Sequence, residues 1–203
     1  MGKRTKAEAM ETRKKILNSA LDVFFEKNYA DVKVVEIAQR IGLTKGAVYW
    51  HFKNKEDILF TLTTETIAGL ETTISSLFAV SDSVDSLRAY YRDVLDKIKN
   101  DDQSNKVHKL MFKKREWPKE LQEKICKIVS ESLKKERMAL LTVIKKAQEN
   151  GKIESKLNPE TLSLLLINIF HGFSVLQIID LLEGDFHAQL DLIFDALDSE
   201  IKN

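Results

Sequence analysis

Residues 34–55 read Val-Val-Glu-Ile-Ala-Gln-Arg-Ile-Gly-Leu-Thr-Lys-Gly-Ala-Val-Tyr-Trp-His-Phe-Lys-Asn-Lys, and the rest of the chain is read outward from them. Val34, Ile37, Ala38 and Ile41 recur at helical spacing, and Gly42 supplies the left-handed residue that ends a helix. After a tight turn Thr44 can cap a second short helix through the amides of Gly46 or Ala47, with Ala47, Val48 and Phe52 on its inner face. This is a helix-turn-helix pattern. Its outer face carries Lys45, Tyr49, Trp50 and His51, donors and aromatic rings in place of the Glu, Lys and Gln of a solvated face, and that mix suits a DNA groove.

The run Ile-Ala-Gln-Arg-Ile-Gly-Leu-Thr-Lys-Gly-Ala-Val-Tyr-Trp-His-Phe-Lys-Asn-Lys-Glu-Asp-Ile-Leu, starting at Ile37, resembles the signature of TetR-family transcriptional repressors. Within that family it is most similar to the AcrR and TtgR type that controls drug efflux. The likeness runs over roughly residues 8 to 62; beyond them only length and helical layout match. It implies an all-α protein of about nine helices: an N-terminal three-helix helix-turn-helix DNA-binding domain over 1–54 and a larger helical ligand-binding and dimerisation domain over 55–203.

The roles follow from the chemistry of each side chain. Lys45 is expected to reach base edges, with Gly46 and Ala47 leaving room for the helix start to approach. Tyr49, Trp50 and His51 are expected on sugar-phosphate or thymine methyl surface, and Lys55, at a helix start, on a phosphate. Thr44 would both cap and touch phosphate. Lys33, Val34 and Val35 complete the DNA-facing set, although here the sequence departs from the family, whose second helix usually opens with Thr or Ser and an acid three residues on. Lys33 takes the cap position and Glu36 the third, so either Asp31 shifts the cap upstream or the helix start is weaker by about 1 kcal/mol.

Composition agrees with a helical globular protein: 203 residues, 43% apolar, 31% charged, with two Pro and seven Gly. Residues 1–60 hold 12 Lys/Arg and 8 Asp/Glu, whereas residues 61–203 hold 20 and 23, so the positive charge lies with the helix-turn-helix. A single cysteine, Cys126, excludes an internal disulfide and fits a reducing compartment. Set in Ile-Cys-Lys-Ile-Val, it is either a small packed hydrophobe or a redox sensor. No apolar region follows the basic start, so no signal peptide is read and the expected location is the cytoplasm. Residues 1–6 are a basic arm, either near phosphates or simply solvated.

Taken in order, a first helix is expected over about 7–28, with Ile16, Leu17, Ala20, Leu21, Phe24 and Phe25 on one face. Asn54, with Asp57 as its reciprocal acid, opens a helix to about Phe78, roughly 36 Å long at 1.5 Å per residue and so a candidate lever between the domains. Further helices are read at about 84–100, 104–115, 119–150, 158–181 and 186–201. Breaks are signalled at Trp117-Pro118, Asn150-Gly151 and Asn158-Pro159.

From Leu162 to Ile179 the chain is apolar on nearly every face but too often interrupted by polar residues for a membrane span. One side can pack on its own domain while the other wants a partner, so Phe173, Leu176, Leu190, Phe194 and Leu197 are expected in a homodimer interface. Phe78, Tyr90, Tyr91, Phe112, Trp117, Met138 and Phe170 are candidates to line an apolar cavity for a hydrophobic inducer, cationic or aromatic. Glu65, Glu71 and Glu116 are candidate acids for a cationic ligand. The other partner is a double-stranded operator with an inverted repeat. The four His lack metal-motif spacing and no phosphate-binding Gly loop occurs, so neither an enzyme, a metal nor a cofactor is expected. The competing reading is an all-α small-molecule binding or enzymatic domain whose helix-turn-helix is purely structural.

Overall fold

The computed structural model describes residues 5–80 and 83–199, without the side chains of 70, 73–80, 198 and 199. Among the described residues there are nine α-helices and no strand: α1 Lys6–Glu26, α2 Val34–Arg40, α3 Lys45–His51, α4 Lys55–Val80, α5 Val84–Asn100, α6 Asp102–Phe112, α7 Lys119–Glu149, α8 Pro159–Ile178 and α9 Phe186–Ser199. Two 3-10 turns, Tyr29–Asp31 and Lys113–Glu116, lie between α1 and α2 and between α6 and α7.

Local chemistry accounts for most boundaries. Thr5 starts α1 with a full capping box: its hydroxyl accepts from the Glu8 amide at 3.2 Å and the Glu8 carboxylate accepts from the Thr5 amide at 2.8 Å. The basic arm therefore gives way to helix at Lys6. Asn158, with Pro159 next to it, opens α8, its side chain accepting from Thr161 N at 2.9 Å. Gly42 and Gly151, both at φ +68°, close α2 and α7 in the left-handed conformation that a side chain disfavours. The start of α2 remains at Lys33, which makes no side-chain cap bond; Asp31 does not move it upstream, because Tyr29–Asp31 closes its own turn.

The chain divides into two compact units, and the division differs from a cut at residue 54: residues 1–66 and 103–128 form one, and 67–102 and 129–203 the other. The first unit buries Ile16, Ala20 and Phe24 of α1, Ile37 and Ala38 of α2, Val48 of α3 and Ile58 and Leu59 of α4. Ser19 is buried among them and donates to the Ile37 carbonyl at 2.9 Å, which satisfies the hydroxyl and fixes α1 to α2. In the second unit Leu87, Tyr91 and Leu95 of α5 pack with Leu140 and Ile144 of α7, Leu166 and Phe170 of α8, and Leu190 and Phe194 of α9. Buried Gln177 of α8 donates to the Leu95 carbonyl at 3.1 Å, and Arg88 of α5 reaches Asp195 of α9 at 2.7 Å. By length and mean hydropathy, 1.6, α8 is apolar enough to cross a membrane, but Leu162, Leu166, Ile167 and Phe170 on one face are part of this core.

Candidate nucleic-acid interface

The candidate recognition face is built by α3. Thr44 accepts from the Ala47 amide at 3.2 Å and so defines where α3 begins. Val48 and Phe52 are buried beneath the helix, which turns Tyr49 and Trp50 outward. Trp50 is 72% exposed, an unusual position for the largest apolar side chain unless something covers it. His51 is half-buried, its ring edge-on to Trp50 at 4.6 Å, and the Lys45 ammonium lies over the Tyr49 ring at 5.4 Å. A Cβ on Gly46 would meet only Thr44 Oγ1, at 3.8 Å, so the protein's own packing does not demand glycine there. The open side of the helix start faces solvent, and Ala47 is half-buried behind it. Lys33 and Val35 are exposed at the start of α2.

Two expected contacts do not hold. Val34 is 8% exposed and belongs to the core, as its helical register with Ile37 and Ala38 requires. Lys55 is turned inward: its ammonium donates to the carbonyls of Tyr29, Ala30 and Val32 at 2.7, 3.2 and 3.3 Å, and stands 4.3 Å over the Tyr29 ring. All three ammonium hydrogens are thereby used in holding the α1–α2 connection, and none is left for a phosphate. The α4 cap is as expected at Asn54, which accepts from Asp57 N at 2.8 Å, but the Asp57 carboxylate accepts from Lys53 N, one residue upstream.

Arg40 pairs with both Glu26 oxygens, and this contact holds the Glu26 carboxyl below the usual carboxylate range. Lys27 pairs with Glu36 at 2.7 Å, so the acid at the third position of α2 serves an ion pair instead of a capping box.

The expected cavity residues whose side chains are described are divided between the two units. Phe78 lies outside the described side chains. Phe112 and Trp117 belong to the helix-turn-helix unit, the first 51% exposed and the second buried; Met138, in the other unit, is 52% exposed. Within the second unit Tyr90, Tyr91 and Phe170 come together: Tyr91 stacks on Phe170, and the Tyr90 ring meets Tyr91 edge-on at 4.8 Å. Beside them is a residue the sequence reading passed over, Glu136 of α7, 7% exposed, whose Oε2 lies 3.0 Å from His171 Nε2 of α8. Burial pushes the Tyr90 and Tyr91 hydroxyls well above their ordinary range, and the Glu136 charge adds to it. The Tyr91 hydroxyl is buried without a hydrogen-bond partner. Glu136 was detectable, since it falls at helical spacing before Leu140, Val143 and Ala147, on the buried face of an otherwise charged helix.

Two grooves of the first unit are bordered mainly by residues other than those expected, with the candidate acid Glu65 on the first of them. One, of 660 Å³, is bordered by Met10, Arg13, Leu17, Leu62, Glu65 and Gln103; the other, of 340 Å³, by Lys53, Asn54, Asp57, Phe60, Leu121 and Lys124. Of the candidate acids, Glu65 pairs with Arg13 on the first of these grooves, Glu71 pairs with Lys135, and Glu116 is exposed. Among the described residues no group of His, Cys, Asp and Glu is placed to hold a metal. Cys126 is exposed on α7 and not packed as a small hydrophobe.

For dimerisation, Leu190 and Phe194 are fully buried in their own unit and are unavailable to a partner, while Phe173 and Leu197 are half-buried against it. Leu176 is 40% exposed, in a row with Leu164, Leu165 and Val175 of α8 and with Ile179 just past its end; Leu192 of α9 is 72% exposed. The outward apolar face exists, with different members on α9 from those expected.

Residues 16–62 match the family described as bacterial regulatory proteins, tetR family. The transcriptional regulator AcrR of Shigella flexneri is 30% identical over 158 residues, 76% of this chain and 64% of AcrR, so the alignment spans less than two thirds of that relative. TtgR of Pseudomonas putida is 26% identical over 207 residues, 97% of this chain and 96% of TtgR. Among solved structures, the triclosan complex of SmeT, the repressor of the Stenotrophomonas maltophilia multidrug efflux pump SmeDEF, has a TM-score of 0.71 at 21% identity, covering 83% of this chain and 81% of that one.

Proposed function

We propose that the chain is a TetR-family transcriptional repressor which holds an inverted-repeat operator as a homodimer and is released by a hydrophobic small molecule, a reading supported by the family match over residues 16–62 and the likeness to AcrR. The observation that carries the reading is the capped α3 with Tyr49 and Trp50 exposed and Lys45 over the Tyr49 ring. Lys45 reads base edges, where a good contact contributes about 1–3 kcal/mol of discrimination. Tyr49, Trp50 and His51 cover sugar and thymine methyl groups, Thr44 and Lys33 hold phosphates, Val35 packs at the groove edge, and Gly46 and Ala47 admit the backbone. In the dimer the exposed row on α8 meets its symmetry mate, giving two recognition helices about one DNA turn apart, roughly 34–36 Å.

The inducer enters the second unit at the Tyr90, Tyr91 and Phe170 cluster, where a cationic or aromatic compound would meet the Glu136 carboxylate and the unpartnered Tyr91 hydroxyl. Helix α4 contributes residues to both units and is the element that would carry the change to the recognition helices. SmeT has been crystallised with triclosan and represses an efflux pump, and by that analogy the operator here lies before efflux genes. A band-shift assay with the chain's own upstream DNA tests the reading: retardation reversed by planar aromatic or cationic compounds is expected. No retardation of that DNA would dismiss it.

A further inference from the structure

We propose that the turn Lys113–Glu116 between α6 and α7 makes a second contact with the DNA phosphate backbone, outside the helix-turn-helix; the inference rests on the DNA-binding reading above. The first observation is charge. Residues 103–128 fold with the helix-turn-helix unit and bring eight Lys/Arg against three Asp/Glu. That unit then holds 20 Lys/Arg and 12 Asp/Glu, and the other 12 and 19, a division steeper than a cut along the sequence shows.

The second observation is position. The Lys113 ammonium donates to the Phe25 carbonyl at 2.9 Å and lies over the Phe25 ring at 5.7 Å, which ties the turn to the last residues of α1, just before the connection to α2. A few residues on, Glu120, Leu121 and Lys124 border the same groove as Lys53 and Asn54, the turn that follows α3. The basic segment is thus anchored to the two connections that flank the α2–α3 pair.

The third is pairing. Lys106 is neutralised by Asp22 at 2.9 Å and Lys124 by Glu120 at 2.6 Å. Lys114 and Arg115 are exposed and, among the described residues, pair with no acid. Adjacent unneutralised cations repel one another, and a phosphate relieves that repulsion, Arg115 through its planar fork and Lys114 as a point charge. Such a contact positions the protein and carries no sequence information.

The test uses the full chain with two duplexes of equal length, its own upstream DNA and a random sequence, each titrated over a range of salt. The expected result for Lys114→Glu/Arg115→Glu is a loss of about tenfold or more on both duplexes alike, with a salt slope shallower by about two units for each engaged chain. Lys114→Gln/Arg115→Gln should give the same slope change with a smaller loss. Lys134→Glu/Lys146→Glu carries the same charge change in the other unit and should stay within about twofold of wild type. If the turn variant matches this control in affinity and slope, the contact is overturned while the DNA-binding reading stands. If the wild-type chain binds neither duplex, that reading falls and the contact with it.

Discussion

Lys45 and Lys55 were indistinguishable as sequence, each a basic residue at a helix start, yet one is exposed beside an aromatic ring and the other caps three carbonyls. The difference lies in groups 23 to 26 positions away along the chain, which periodicity cannot see. Lys45→Ala is expected to relax preference between operator and scrambled DNA, as competition binding would register; equal losses on both would place Lys45 on the backbone alone. At Lys55 even Arg is a poor substitute, because a planar guanidinium cannot direct three hydrogens to one converging set of carbonyls. Tyr91 offers a test by pH. Its hydroxyl is held neutral by burial, so the stability this contributes is complete below about pH 10, where an ordinary tyrosine ionises, and is lost as pH rises further. Tyr91→Phe should flatten the alkaline fall by up to about 1.4 kcal/mol per pH unit. Near neutrality it should cost under about 1 kcal/mol, since the hydroxyl removed has no partner. Denaturant melts at several pH values would show both effects.

Helix boundaries were the most legible elements, because caps are local chemistry: Thr44, Asn54, Asn158 with Pro159, and Gly151 mark the ends where they were expected. The Thr5–Glu8 capping box was equally local and was absorbed into a basic arm. The orientation of α8 was hidden for the opposite reason. A helix apolar on nearly every face carries no phase, so its buried row at Leu162, Leu166 and Phe170 and its open row at Leu164, Leu165 and Leu176 look alike in sequence. In α9 the row taken for an interface proved to be core. Leu176→Glu is therefore expected to give monomers in sedimentation with the helical spectrum retained; an unchanged dimer mass would remove this face of α8 from the interface. Phe194→Glu would instead replace a core ring by a charge at a fully buried position and unfold the unit, at a cost of several kcal/mol.

For the whole molecule, the helix-turn-helix was legible as far as its own residues, but the return of residues 103–128 to that unit was not, because association between distant segments leaves no local signal. Coupling between ligand and operator, as proposed, must be reciprocal. A compound that weakens operator binding by some factor must itself bind the operator-bound protein more weakly by the same factor, typically about 1–3 kcal/mol. Calorimetric titration into free and operator-bound protein measures it; equal affinities would mean that the compound binds without acting as inducer. Glu136→Gln should lower affinity for cationic compounds more than for neutral aromatic ones if that carboxylate faces the ligand.

The open apolar row on α8 also has a genetic reach. In the proposed dimer, a subunit crippled at Lys45 but intact at Leu165 and Leu176 still pairs, and each mixed pair can grip only one half-site. A defective allele would therefore withdraw normal subunits from the operator and behave as dominant over the intact copy.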